Sequence, residues 1–104
     1  MAKSSPTEFK LQRIDTHAGP VALVTIDNGE DWQKPNTFGE HALRSLEATL
    51  DQLRTRDWRG LVLTGKPFVF AVGADIDEFG EITPERAREG GEAGHELFGR
   101  IRDL

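Results

Sequence analysis

The residues best suited to chemistry form a loop of small side chains, Gly73-Ala74-Asp75, which follows an apolar, β-branched run. Gly73 permits backbone angles that a Cβ would exclude, and Ala74 is small enough for its N–H to face a cavity. Asp75 can cap a short helical turn, which the sequence predicts over 75–79. A strand, a glycine and a helix start in this order expose backbone N–H groups that can hold an oxyanion. The loop is therefore a candidate oxyanion site.

A simpler interpretation is that the loop is a strand-to-helix turn in which small residues are needed only for packing. Taken alone, the tripeptide favours this packing interpretation. A dinucleotide-binding loop is excluded, because Val72-Gly73-Ala74-Asp75 lacks the glycine spacing G-x-G-x-x-G.

Other titratable residues offer weaker candidates. Four clustered carboxylates could divide acid and base roles between them: Asp75, Asp77, Glu78 and Glu81. Their spacing is more typical of a charged helix start that faces water. Three histidines have no partners at metal-ligand spacing and are predicted to be surface or packing residues: His17, His41 and His95. We therefore expect no metal site.

The bulk composition limits the function classes. The chain has 104 residues, 37% hydrophobic residues and a net charge of −5, as expected of one small domain or a piece of a larger one. No basic stripe is present, so a nucleic-acid partner is not expected. The apolar runs are far too short for a membrane span, and the N-terminus lacks a secretory h-region. The absence of cysteine fits a cytoplasmic location.

Periodicity and turn residues predict the elements that position the loop. Residues 1–7 are predicted to be a flexible leader, followed by strands over 8–14 and 21–26. A helix is predicted from Gly39 to Arg56, with a leucine stripe at Leu43, Leu46, Leu50 and Leu53. A third strand over 60–64 and a fourth extended piece over 68–72 follow. Together these elements indicate an α/β fold.

A final helix is predicted to begin at Thr83-Pro84-Glu85 and to run toward Asp103. Its apolar residues are Leu97, Phe98, Ile101 and Leu104, and we expect an exposed face there that favours association or instability. One good helix also cannot cover both faces of the sheet. Both features predict a truncated domain or an oligomer.

The residues around the loop resemble the first oxyanion-hole motif of the crotonase (enoyl-CoA hydratase/isomerase) superfamily. The family's motif is T-G-x-x-x-x-F-x-A-G-A-D-I. This chain has a similar order and spacing, with Thr64-Gly65 at the start, Phe70 at the phenylalanine after a connector, and Ala71 to Ile76 at the end. Upstream, Pro35-Asn36-Thr37-Phe38 resembles the asparagine element that precedes the first long helix of that family. Val72 departs from the pattern, because the family usually has alanine there. The resemblance covers about residues 8–104.

This resemblance implies a partial crotonase-like ββα spiral fold and an acyl-CoA substrate. It implies that Ala74 N–H holds the thioester oxygen while an enolate forms, with coenzyme A as part of the substrate and no separate cofactor. It places further substrate contacts on two segments: Lys34, Pro35 and Asn36 in one, and Ala71, Val72, Gly73, Asp75 and Ile76 in the other. Lys34 or Lys66 could reach the CoA phosphates, although a solvated surface lysine is the favoured interpretation for each.

We therefore expect residues 8–104 to be the N-terminal portion of a crotonase domain, ending before the second oxyanion motif and the catalytic acids. The parent reaction that the resemblance implies is enoyl-CoA hydration in fatty-acid oxidation, carried out by a homo-oligomer, and a fused fatty-acid oxidation enzyme is one candidate parent. The 104-residue chain alone is expected to be inactive. Isomerase or thioester hydrolase activity is an alternative, and so is a non-catalytic binding or assembly module.

Overall fold

The computed structural model describes residues 6–31, 33–68, 70–73 and 83–104. Its elements follow in the order β1 (Glu8–Thr16), β2 (Gly19–Asp27), α1 (Glu40–Leu53), β3 (Gly60–Thr64) and α2 (Pro84–Arg102). The described strands form a three-stranded sheet in the order β1-β2-β3. β1 and β2 are antiparallel, whereas β2 and β3 are parallel because α1 returns the chain to the same end of the sheet.

The hairpin between β1 and β2 turns on Gly19, whose φ is +120°, a value that side-chain-bearing residues rarely adopt. A Cβ built on Gly19 would lie 2.7 Å from Cγ of Arg59. Arg59 also holds the turn in place, since its Nε donates to the carbonyl of Ala18 and its N–H donates to the carbonyl of Pro20. The turn is thus attached to the start of β3.

The core lies between one face of the sheet and α1. Alternate residues of β2 point to it, and Ala22, Val24 and Ile26 are at most 2% exposed. The predicted leucine stripe of α1 packs onto them, which confirms the helix and its orientation. The buried hydrophobic side chains are Phe9, Ala22, Val24, Ile26, Ala42, Leu46, Leu50, Leu53 and Leu97.

Helix α1 also covers the free edge of β1. Ser45 Oγ accepts a hydrogen bond from the N–H of Phe9 at 2.8 Å, and Thr49 Oγ1 donates to the carbonyl of the same residue at 3.2 Å. Both backbone groups of Phe9 would otherwise be unpaired at a sheet edge. Two polar residues of α1 therefore have a structural reason to face the sheet.

Helix α2 begins as predicted, with Thr83 Oγ1 accepting from the N–H of Arg86 and Pro84 in the first turn. The prediction of an exposed apolar face is wrong for Leu97, which is 5% exposed, and for Ile101, which packs against the core. It holds at Leu104, which is 56% exposed. Phe98 remains 44% exposed, although its ring contacts Phe38 edge to face. Helix α2 is continuous although it contains four glycines, at positions 90, 91, 94 and 99, and the buried Gly94 lies against Leu43 of α1.

Four other predictions need correction or fall partly or wholly on residues that the structure does not describe. Phe68 does not begin an extended piece, since it lies in a turn with φ +72°. Helix α1 does not reach Arg56; it ends at Leu53, which is also the last leucine of the apolar stripe. Residues 1–5 of the predicted leader and the predicted turn over 75–79 lie outside the described residues; Pro6 is exposed and Thr7 is buried.

The second face of the sheet is open among the described residues. Ile14 and Val62 are 43% and 48% exposed there, beside the half-buried Leu23. This agrees with the expectation that one helix cannot cover both faces. No helix in the described ranges combines the length and apolar character that crossing a membrane requires.

Candidate functional site

Two segments that the sequence assigns to the substrate are brought together at the end of β2. The N–H of Val72 donates to the carbonyl of Asn36 at 3.0 Å, and the N–H of Phe38 donates to the carbonyl of Gly73 at 2.7 Å. Residues 36–38 and 70–73 therefore lie side by side, although more than thirty positions separate them in the chain. We call this pair of segments the backbone wall.

The side chain of Asn36 joins the backbone wall to β2. It is 0% exposed, and its Oδ1 accepts from the N–H of Asn28 at 3.0 Å. Its Nδ2 donates to the carbonyl of Ile26 at 2.8 Å and to that of Phe70 at 2.9 Å. A buried amide must satisfy both its donors and its acceptor. The side chain of Asn36 therefore fixes its own segment relative to the end of β2 and to the segment that contains Phe70. Asn36 acts here through structure, and its side chain has no free donor for a ligand.

A second polar group, Lys66, lies beside this junction. Lys66 is only 9% exposed, and Nζ donates to Asn28 Oδ1 at 2.7 Å and to the carbonyls of Asp31 and Lys34 at 3.0 and 2.6 Å. The interpretation of Lys66 as a solvated surface lysine is therefore wrong. The alternative phosphate contact is also disfavoured, because three acceptors already occupy its three N–H donors.

Asn28 connects these two polar groups. Its Oδ1 accepts a hydrogen bond from Nζ of Lys66, and its backbone N–H donates to Oδ1 of Asn36. Its Nδ2 donates to the carbonyls of Lys34 and Pro35. We call Lys66, Asn28 and Asn36 the polar network. Sequence reasoning missed Asn28, which directly follows β2. Local sequence carries no signal of its long-range partners.

The remaining predicted contact residues differ in exposure. Lys34 is exposed and Pro35 half-buried, so both present atoms to solvent in the segment that directly precedes residues 36–38 of the backbone wall. In the opposite segment Val72 is 56% exposed and Ala71 is half-buried. Gly73 has φ +112°, and no atom of the residues that the structure describes lies within 4 Å of its Cβ position. The positive φ by itself favours glycine at position 73.

The central residues of the predicted oxyanion site lie outside the described residues. These are Ala74, the predicted N–H donor, together with Asp75 and Ile76. The carboxylates Asp77, Glu78 and Glu81 lie in the same undescribed stretch. The structure therefore places the backbone wall up to Gly73, and the assignment of Ala74 stays a prediction.

A separate charged group at the end of β2 is the carboxylate of Asp27. The N–H of Gly29 and the ammonium of Lys10 both hydrogen-bond this carboxylate, and they lower its pKa below the ordinary value. Asp27 also borders a shallow cleft of about 340 Å³, lined further by Gly29, Glu30, Asp31, Lys66, Pro67 and Phe68. Three of the seven lining residues are acidic, namely Asp27, Glu30 and Asp31, so the cleft is poorly suited to an anionic ligand.

The histidines are surface residues, as predicted. His17 and His95 are exposed, and His41 Nε2 lies 3.7 Å from the carboxylate of Glu8 on an exposed surface.

Comparison with known proteins decides the family. The family model described as Enoyl-CoA hydratase/isomerase matches residues 16–104, which is most of the chain. This chain belongs to the enoyl-CoA hydratase/isomerase family. The match includes both segments of the backbone wall and the whole polar network.

Solved structures share the fold. This family member superimposes on Pseudomonas aeruginosa DspI with a TM-score of 0.69 and 31% sequence identity, over 90% of this chain and 37% of that one. An enoyl-CoA hydratase from Bacillus anthracis matches with a TM-score of 0.77 over 93% of this chain and 36% of that one. The second match is 19% identical and speaks to the fold alone. The predicted α/β, crotonase-like fold is thereby confirmed.

Two curated relatives, from Synechococcus elongatus and another Synechococcus strain, are both named homoserine O-acetyltransferase. Each is 30% identical over 77 residues, which is 74% of this chain and 25% of the relative. The chain thus spans about a quarter of these curated relatives and little more than a third of the solved structures.

Proposed function

We propose that this chain forms one wall of an acyl-CoA thioester site, in which the N–H of Ala74 holds the thioester oxygen as an enolate develops. The observation that carries the proposal is the pairing of Asn36 with Val72 and of Phe38 with Gly73. This pairing places the two segments that resemble the family's substrate contacts beside each other, directly before Ala74. Family membership supports the acyl-CoA substrate class.

The proposed chemistry follows from where charge develops. When a proton leaves the carbon next to a thioester, negative charge moves onto the carbonyl oxygen, and a backbone N–H aimed at that oxygen binds the enolate more strongly than the ester. Loss of one such donor typically costs about 3–4 kcal/mol. Gly73 contributes by permitting a backbone angle that directs the next peptide unit.

The wider proposal is enoyl-CoA hydration in fatty-acid oxidation, by a cytoplasmic homo-oligomer. The second oxyanion donor and the catalytic acid and base are proposed to come from residues outside 1–104. This part of the proposal follows from the family resemblance at Thr64-Gly65 and Phe70 to Ile76.

Titration of the isotope-labelled 104-residue chain with butyryl-CoA tests the binding proposal, read as changes in amide NMR shifts. We expect changes at 34–36 and 70–74, with a dissociation constant near or above about 1 mM, and no turnover of crotonyl-CoA. NMR detects complexes this weak. The matched variants are Ala74→Pro, which removes the N–H, and Ala74→Gly, which keeps it.

Ala74→Pro should abolish the shift changes at 70–73, whereas Ala74→Gly should retain them. In a longer form of the protein that hydrates crotonyl-CoA, Ala74→Pro should also lower kcat about 10²- to 10³-fold. Shift changes confined to the far end of the sheet, near His17, would contradict the proposal. So would equal binding by both variants.

A further inference from the structure

We propose that Lys66 is a positioning residue for the acyl-CoA site, holding loop 28–34 against the end of β3 so that the backbone wall keeps its shape. The inference rests on the proposed function for its ligand. It rests on the polar network for its mechanism. No chemical step is assigned to Lys66.

The first step of the argument is the burial of the ammonium. Lys66 is 9% exposed, and its three N–H donors meet Asn28 Oδ1 and the carbonyls of Asp31 and Lys34 within 3.0 Å. A charged group leaves water only where its hydrogen bonds are replaced. All three replacements come from loop 28–34, so the loop must stay close to Lys66 for the ammonium to remain satisfied.

The second step is the route from Lys66 to the backbone wall. Lys66 orients the Asn28 amide, whose Nδ2 then donates to the carbonyls of Lys34 and Pro35. The N–H of Asn28 in turn donates to the side chain of Asn36. The carbonyl of Asn36 receives the N–H of Val72. A continuous hydrogen-bonded path therefore joins the ammonium to the segment that leads into Ala74.

The third step separates positioning from direct contact with the substrate. Because its donors are already used within the protein, Lys66 has none left for a CoA phosphate. Its influence on binding should be the same whether or not the ligand carries phosphates. Direct phosphate contact would instead make that influence disappear for a ligand that ends at pantetheine.

The test compares wild type, Lys66→Met and the control Lys34→Met in the 104-residue chain. Lys34 is a nearby lysine whose side chain is exposed, so the control removes the same charge without opening the polar network. The measurements are amide hydrogen exchange at Val72 and Leu50, and NMR titration with butyryl-CoA and with butyryl-pantetheine. Leu50 reports on the core, where it is 1% exposed.

For Lys66→Met we expect protection at Val72 to fall at least about tenfold, consistent with loss of one charged hydrogen bond, while Leu50 keeps its protection. Affinity for both butyryl ligands should fall by the same factor, and adding methylammonium to a Lys66→Ala variant should restore part of the protection at Val72. Lys34→Met is the control for hydrogen exchange alone, because Lys34 is itself assigned to the substrate, and it should leave the protection at Val72 unchanged.

Unchanged protection at Val72 in Lys66→Met would overturn the inference, as would an affinity loss seen with butyryl-CoA but not with butyryl-pantetheine. Equal loss of protection at Val72 and Leu50 would also overturn it, because Lys66 would then serve global stability only. Wild type could bind neither ligand while Lys66→Met still lowers protection at Val72 and not at Leu50. In that case the proposed function fails, and the conclusion that Lys66 positions the backbone wall stands.

Discussion

Replacing Asn36 with alanine should destabilise the protein more than most single substitutions. The side chain is 0% exposed, and its removal leaves three partners unsatisfied: the N–H of Asn28 and the carbonyls of Ile26 and Phe70. A buried polar group without a partner costs about 1–3 kcal/mol. Phe70 is 50% exposed, so water can reach its carbonyl, and two groups remain costly. The expected loss is about 2–6 kcal/mol, a large fraction of the roughly 5–15 kcal/mol typical of a domain this size.

Urea unfolding followed by circular dichroism measures this loss as a lower midpoint at constant m value. Gln52→Ala is the matched control, since it also truncates an amide but at an exposed position on α1, and it should stay within about 0.5 kcal/mol of wild type. A change below about 1 kcal/mol for Asn36→Ala would refute the reasoning.

Asn36→Asp sharpens the test, because it keeps the size and the acceptor but replaces the donor Nδ2 with an oxygen. That oxygen would face the carbonyls of Ile26 and Phe70, so we expect a loss at neutral pH at least as large as that of alanine. Near-wild-type stability of Asn36→Asp would show that volume matters at this position and that hydrogen bonding does not.

Further predictions concern the core, the hairpin and the acid response. Leu50→Ala should cost about 2–5 kcal/mol in urea unfolding, because the side chain is 1% exposed in the core. Gly19→Ala should destabilise more than Gly29→Ala: both glycines have positive φ, but only the Cβ at Gly19 meets Arg59, and equal losses would contradict this. Asp27 has a lowered pKa in the folded protein, so its contribution to stability is present above the unfolded pKa and is lost as pH falls through the folded value. Asp27→Asn should therefore show a smaller loss of stability than wild type between about pH 5 and pH 2, and parallel curves would show that the carboxylate is not responsible.

Secondary structure was largely predictable, because it depends on periodicity and turn residues that lie close together in the chain. The leucines of α1 recur at helical spacing, β2 is a nearly continuous apolar run, and Thr83-Pro84 carries its own helix-start signal. Each of these elements forms where the pattern indicates it, with shifts of a few residues at the ends. The extended piece predicted from Phe68 failed, because an apolar residue gives no local warning of a left-handed turn.

The candidate site was predictable only in part. The resemblance selected Lys34 to Asn36 and Ala71 to Gly73, and the structure brings these segments together. It did not reveal why they meet, since the side chain of Asn36 bridges groups up to 34 positions away and Lys66 reaches 38 positions to Asn28. An asparagine and a lysine in polar loops read as surface residues when their partners are unknown.

The amino-acid sequence by itself determined the order of the elements, the leucine face of α1 that is buried, and the motif that resembles the family. These follow from short-range spacing, which is visible without coordinates. Tertiary structure decided the roles of Asn28, Asn36 and Lys66, because whether a polar group is solvated or buried depends on partners that folding alone brings within hydrogen-bonding distance.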